Sequence, residues 1–175
     1  FVIEDKMEIL ISGASAGIGW EIAKSCLEEN HSVVGLARDF SNTPVYEHFH
    51  PVIIDLLQIN QIKTLHVYKP DVIICNVGKA LLGNLDSYSY QEIQETLHLN
   101  FLSHVHLVKI LLPQMKKKKS GHLIFIGSES AFQGRRKGSV YCASKFALRG
   151  FAQALREECR SSNILVSEVH PGVVK

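Results

Sequence analysis

From Met7-Glu8-Ile9-Leu10-Ile11-Ser12-Gly13-Ala14-Ser15-Ala16-Gly17-Ile18-Gly19 the chain reads as a strand, a glycine turn and the start of a helix. The first six residues are largely apolar with β-branched side chains, and an amphipathic segment runs on from Gly19 to Asn30. Glycines at 13, 17 and 19 permit positive φ and let a backbone approach a diphosphate closely. The free N–H groups and dipole of a helix N-terminus favour the negative charge of such a group. A tight turn without any ligand fits the bare spacing equally well.

Outward from this unit, strands and helices alternate. Ser32–Arg38, Pro51–Asp55, Asp71–Gly78, Gly121–Ser128 and Asn163–His170 carry the short apolar runs expected of strands buried in a parallel sheet. Gln58–Val67, Ser89–Pro113 and the segment from Tyr141 to about Arg160 carry helical patterns, and Asp39–His50, with Pro44, reads as a loop or short helix. Right-handed crossovers then place helices on both faces. The expected fold is α/β, a doubly wound parallel sheet of Rossmann-like type in three layers, with residues 1–175 as one domain.

Composition narrows the function. A formal net charge of +2, with basic residues dispersed, gives no footprint for nucleic acid, and no apolar run is long enough to span a membrane. Cys26, Cys75, Cys142 and Cys159 lie far apart, which suits reduced thiols in a cytoplasmic protein. The nine histidines show no metal-ligand spacing, so no metal is expected and they read as surface or boundary residues. The lysines at 116–119 read as a solvated turn after a helix ending at Pro113.

Tyr141 and Lys145 stand four residues apart, on one face of a predicted helix. A cation fixed beside a phenol favours its ionised form and makes the pair a plausible acid/base unit. A half-buried ring beside a solvated amine is the bland alternative. Further candidates accompany them: Asn76-Val77-Gly78 at a strand tip, Asn100 within an apolar helical stripe, Ser128 thirteen residues before Tyr141, and Pro171-Gly172 after the last strand.

In this order, with glycines spaced G-x-x-x-G-x-G, these features resemble the short-chain dehydrogenase/reductase family over essentially the whole chain. The resemblance implies catalytic roles for Asn100, Ser128, Tyr141 and Lys145. In relatives the matching tyrosine exchanges a proton with the substrate oxygen, the lysine supports it and binds the nicotinamide ribose, and the serine positions the carbonyl. The matching asparagine bends its helix and holds a water that links the lysine to solvent. Ser130 is a nearby rival to Ser128, and Asn100 also reads as an ordinary buried amide.

For the cofactor, the resemblance implies contacts from Gly13, Ser15, Ala16, Gly17, Ile18, Gly19, Asp55, Leu56, Asn76, Val77, Gly78, Tyr141, Lys145, Pro171 and Gly172. Asp55 reads equally as a helix cap, and Asn76 first as a tie between strand ends. Arg38 stands where an acidic residue would bind a ribose 2′-hydroxyl; its guanidinium matches a 2′-phosphate, favouring NADP over NAD. Ala16 supplies no second cation and Asp39 adjoins Arg38, so a solvated loop arginine stays open. The expected function is NADP(H)-dependent oxidation or reduction of a small carbonyl or secondary-alcohol substrate, the alternative being an inactive dinucleotide-binding regulator or scaffold. Arg135, Arg136 and Lys137 lie in a loop that joins two candidate catalytic residues; the cluster reads first as solvent-facing, with a place at the border of the substrate mouth as the alternative. Relatives commonly pair through helices matching 89–113 and 141–160, which implies a homodimer or homotetramer. The sequence opens at Phe1 and closes at Lys175 just past a Pro-Gly turn, so a longer polypeptide is expected, with the family's substrate-covering C-terminal segment missing here.

Overall fold

The computed structural model describes Lys6–Gly172. Six strands form one sheet: β1 (Glu8–Ser12), β2 (Ser32–Ala37), β3 (Phe49–Ile53), β4 (Val72–Cys75), β5 (Gly121–Ile126) and β6 (Ile164–Val169). Their spatial order is β3-β2-β1-β4-β5-β6, and all five neighbouring pairs are parallel. The order reverses between β1 and β4, so the chain leaves the carboxyl ends of these neighbours in opposite directions. A crevice opens there, the usual ligand position in such sheets.

Alternation along each strand builds two cores. Ile9, Ile11 and Val33 face Ala23 and Leu27 of α1 (Gly17–Glu28) on one side of the sheet. Leu10, Val34, Leu36, Ile73, Leu123 and Phe125 face the other side. There they meet α2 (Ile59–Lys63), α4 (Ser103–Lys118) and α5 (Ser139–Cys159). Helix, sheet and helix make the three layers. α3 (Tyr90–Leu97) opens with a reciprocal cap in which the Glu92 N–H donates to Ser89 Oγ and the Ser89 N–H donates to the Glu92 carboxylate.

Three segments depart from the sequence expectation. β3 begins and ends two residues earlier than Pro51–Asp55, because the Phe49 ring packs against Gly35, where an added Cβ would meet it at 2.6 Å. Trp20 and Phe40 pack edge-on against the same ring, fixing the register of this edge strand, where Pro51 is tolerated. The predicted 89–113 helix is divided by a wider π turn at His98–Leu102, around the Asn100 where the resemblance implied a bend. It then continues through Pro113 to Lys118. Docking of Leu111 and Met115 into the core holds it across the missing proline donor. The lysines therefore form the last helical turn, closed by Lys119 at φ 54°. Lastly, His104 is fully buried and no boundary residue.

Candidate active site

The glycine turn is shaped by contacts that only glycine allows. Gly13 adopts φ +71° while its N–H donates to the Leu36 carbonyl at 2.8 Å. At Gly19, a Cβ would lie 2.1 Å from the Gly13 carbonyl oxygen and 2.4 Å from Asn76 Nδ2. Asn76 in turn donates from Nδ2 to the Ser12 and Gly13 carbonyls at 3.0 and 3.2 Å. Ser12 Oγ accepts the N–H groups of Asn76 and Val77 at 2.9 and 3.1 Å. The tips of β1 and β4 are thus stitched together at the crevice, and the tying role anticipated for Asn76 is visible. Ser12 was not singled out in the sequence, because a serine at a strand end gives no signal of a partner 64 residues away.

Ala16, in extended conformation, precedes α1 without a side-chain cap, so the first N–H groups of the helix open toward the crevice. A cavity of about 530 Å³ begins here, lined by Gly13, Ser15, Ala16, Arg38, Asp55, Leu56, Val77 and Gly78 among others. Sequence reasoning missed Asn42, Thr43, Lys79 and Glu95 on its walls. Thr43 reaches it by donating to the Ser15 carbonyl at 3.4 Å. Asp55 does not cap α2, which starts after Gln58; its carboxylate accepts the Leu57 N–H at 3.0 Å and closes a local turn. Arg38 is exposed at the cavity edge.

A second cavity, about 340 Å³, shares Gly13, Ala16, Val77, Gly78 and Lys79 with the first and adds Gly17, Ile18, Asn76, Tyr141 and Lys145 among others. A third, about 490 Å³, holds Ser128, Ser130, Tyr141, Cys142, Arg135, Pro171 and Gly172. Tyr141 belongs to both, and Ile18 also lines both. The predicted residues of the glycine turn, Asn76, Val77, Gly78, Tyr141, Lys145, Ser128 and the Pro171-Gly172 turn are therefore gathered along one edge of the sheet. Val173 and Val174 lie outside the described residues.

α5 carries Tyr141 and Lys145 in its first two turns, while Leu148, Ala152, Leu155 and Cys159 anchor the rest in the core. Lys145 is 4% exposed, and its ammonium donates to the Ile126 carbonyl at 3.1 Å and lies 5.9 Å from the centre of the Tyr141 ring. Burial pushes its pKa down to about 8. Asn100 is fully buried on the π turn. Its Oδ1 accepts the Lys79 N–H at 2.8 Å, and its Nδ2 donates to the Lys79 carbonyl at 2.9 Å and to Ser144 Oγ at 3.0 Å. The amide thereby clamps the chain just past Gly78 to the helix bearing Lys145.

Ser128 Oγ accepts the Ser130 N–H at 3.1 Å, which leaves the hydroxyl proton free to point into the third cavity. Ser130, the rival, lines the same cavity but is almost fully buried. Arg135 borders it too, paired with Glu129 at 2.7 Å; Arg136 and Lys137 are not among its lining residues. Among the described residues, no three His, Cys, Asp or Glu side chains cluster to hold a metal, and no helix is long and apolar enough to cross a membrane.

Residues 7–175 match the family model described as short chain dehydrogenase. The chain belongs to this family. It is 33% identical to human retinol dehydrogenase 8 over 181 residues, an alignment covering 95% of this chain and 58% of that protein. A metagenomic short-chain oxidoreductase in complex with NADP matches with a TM-score of 0.87 at 26% identity, covering 96% of this chain and 83% of that one. A 4-hydroxyisoleucine dehydrogenase complexed with NADH and succinate matches with a TM-score of 0.89 at 27% identity, covering 94% and 79%. The chain thus spans rather more than half the length of the human relative. The family uses nicotinamide dinucleotides, and the residues present fit one: at Gly17, on the wall of the second cavity, an added Cβ would meet nothing within 4 Å, so the turn stands open there, and the helix N-terminus offers uncapped donors to a diphosphate.

Proposed function

We propose that this chain forms the dinucleotide-binding and catalytic part of an NADP(H)-dependent oxidoreductase acting on a small carbonyl or secondary-alcohol substrate. The observation that carries this reading is the position of Tyr141, shared between the cavity of the glycine turn and the cavity that holds Ser128. A bound nicotinamide supplies or accepts the hydride. Ser128 donates its free proton to the substrate oxygen as charge develops there. Tyr141 gives a proton to the nascent alkoxide in reduction and removes it in oxidation. Lys145, held by the Ile126 carbonyl, keeps a positive charge beside the phenol. Asn100 positions Lys145 and the strand tip through Ser144 and Lys79. Arg38 at the cavity edge favours the phosphorylated cofactor.

Exposed Leu102 and Phe146, one on each helix of the expected pairing surface, support assembly through the 89–113 and 141–160 helices. The four free cysteines suit a reducing, cytoplasmic setting.

The test uses the full-length protein with NADPH and a carbonyl panel, and with NADP+ and alcohols including retinol, following reduced-nicotinamide absorbance. Turnover is expected, falling by about 10²-fold to 10⁴-fold in Tyr141→Phe with cofactor binding retained. Cofactor binding without turnover, unaltered by Tyr141→Phe, would support the scaffold instead.

A further inference from the structure

The cavity that Arg38 borders has a second cation on its wall. Lys79 follows the Asn76-Val77-Gly78 tip of β4, and Glu95 lies on α3; both line the 530 Å³ cavity, with ammonium and carboxylate 3.0 Å apart. Because β2 and β4 flank β1, Arg38 and Lys79 leave the sheet on either side of the glycine turn. The pair has fixed roots. Asn100 holds the Lys79 backbone by its N–H and its C=O, and Gln91 donates to the second Glu95 oxygen at 2.9 Å. Only the Lys79 stem is left to swing.

The hydrogen bond from Gln91 holds the Glu95 carboxyl below the usual carboxylate range, with the bond and charge of Lys79 next and a smaller contribution from Arg38. Glu95 therefore stands within the field of two cations, in a cavity that Asp39 and Asp55 also line and whose glycine-turn wall, at Ala16, brings no charge. An ion pair on the wall of an anion-binding cavity is poised for exchange. A phosphate monoester carries about two negative charges near neutral pH and outcompetes one carboxylate for an ammonium.

We propose that Lys79 supplies the second cation, with Arg38, for the ribose phosphate of a phosphorylated dinucleotide, and that Glu95 holds its ammonium in the cavity until that phosphate arrives. This rests on the reading that the cavity takes a dinucleotide. Exchange leaves Glu95 unpaired near the new charge, so the carboxylate opposes binding of the phosphorylated cofactor while Lys79 promotes it. The two residues have opposite signs in one discrimination.

The experiment is calorimetric titration of the full-length protein and its Lys79→Met and Glu95→Gln variants with NADPH and with NADH. Circular dichroism and thermal unfolding check that each variant is folded. Lys79→Met is expected to weaken NADPH about tenfold and NADH less than about twofold, and to flatten the salt dependence of the NADPH Kd. Glu95→Gln is expected to tighten NADPH about threefold with little effect on NADH. Equal losses for both cofactors in Lys79→Met, or no tightening of NADPH in Glu95→Gln, would overturn the proposal and leave the dinucleotide reading standing. Failure of the unmutated protein to bind either cofactor would overturn both.

Discussion

Replacing Gly19 by alanine tests whether the turn between β1 and α1 is packed as tightly against the β4 tip as the distances require. The new methyl would start 2.1 Å from the Gly13 oxygen and 2.4 Å from Asn76 Nδ2. Ordinary carbon contacts need about 3.5 Å, so the helix must back away from the turn by roughly 1 Å. Neither neighbour yields easily, since Gly13 is bonded to Leu36 and Asn76 to the Ser12 and Gly13 carbonyls. Overpacking costs about 1–3 kcal/mol and weakening of the Asn76 bonds about 1 kcal/mol more, against about 1 kcal/mol gained in helix propensity. The net expectation is a loss of about 1–3 kcal/mol in urea unfolding, together with loss of dinucleotide binding. Two controls separate shape from the mere addition of a methyl. At Gly150, inside α5, and at Gly17, a Cβ meets nothing within 4 Å, but Gly17 has φ +55°. Gly150→Ala should stabilise by about 0.5–1 kcal/mol, and Gly17→Ala should cost about 1–2 kcal/mol from backbone strain alone. A Gly19→Ala midpoint within about 0.5 kcal/mol of the unmutated protein would refute the packing account.

Asn100→Ala strands the N–H and C=O of Lys79, leaves Ser144 Oγ with only its bond to the Tyr141 carbonyl, and should destabilise by about 2–4 kcal/mol; an unchanged denaturation midpoint would mean that the Lys79 groups find other partners. Lys145 titrates near 8 in the fold against 10.5 as its ordinary value, so the unfolded chain binds more protons between these limits and stability should rise with pH across that window. Relative to Lys145→Met, the rise should reach about 3 kcal/mol, and parallel profiles for the two proteins would contradict it. Among the described residues His104 has no hydrogen-bond partner of ordinary geometry at either ring nitrogen, only a weak approach of the Val77 backbone, and burial, helped by the charge of Lys145, pushes its pKa down to about 3. His104→Leu should therefore stabilise by about 1–2 kcal/mol in thermal or urea unfolding, whereas destabilisation would place an internal water on the ring.

What the sequence revealed follows the range of the interactions involved. The strand, turn and helix at 7–30, the alternation of later elements and the shared face of Tyr141 and Lys145 depend on local periodicity, and all appear in the structure. Ser128 could be placed because a strand end is also a local property, its interval to Tyr141 coming from the family resemblance. Phe49 escaped, because its strand register comes from a ring settling on Gly35, a pairing across two strands. Asn100 was visible as a polar residue in an apolar stripe, and the resemblance implied a bend there, but its grip on Lys79 depends on a loop 21 residues earlier. The same holds for Lys79 and Glu95, ordinary surface charges until α3 is folded beside the β4 tip. Pro113 and the lysine run suggested a helix end, and the burial of Met115 overrode both.

The length of α5 has a mechanical consequence. Its first two turns aim the phenol and the amine, pinned there by the Ile126 carbonyl and by Asn100 through Ser144, while the long remainder is anchored in the core, where Leu155 and Cys159 are lodged against β6. The helix is a lever with its fulcrum in the oily interior and its working end at the crevice. Shaving a methyl group at the far end would tilt the tip without touching any group that handles protons, so damage there would register as misdirected chemistry before it registered as unfolding.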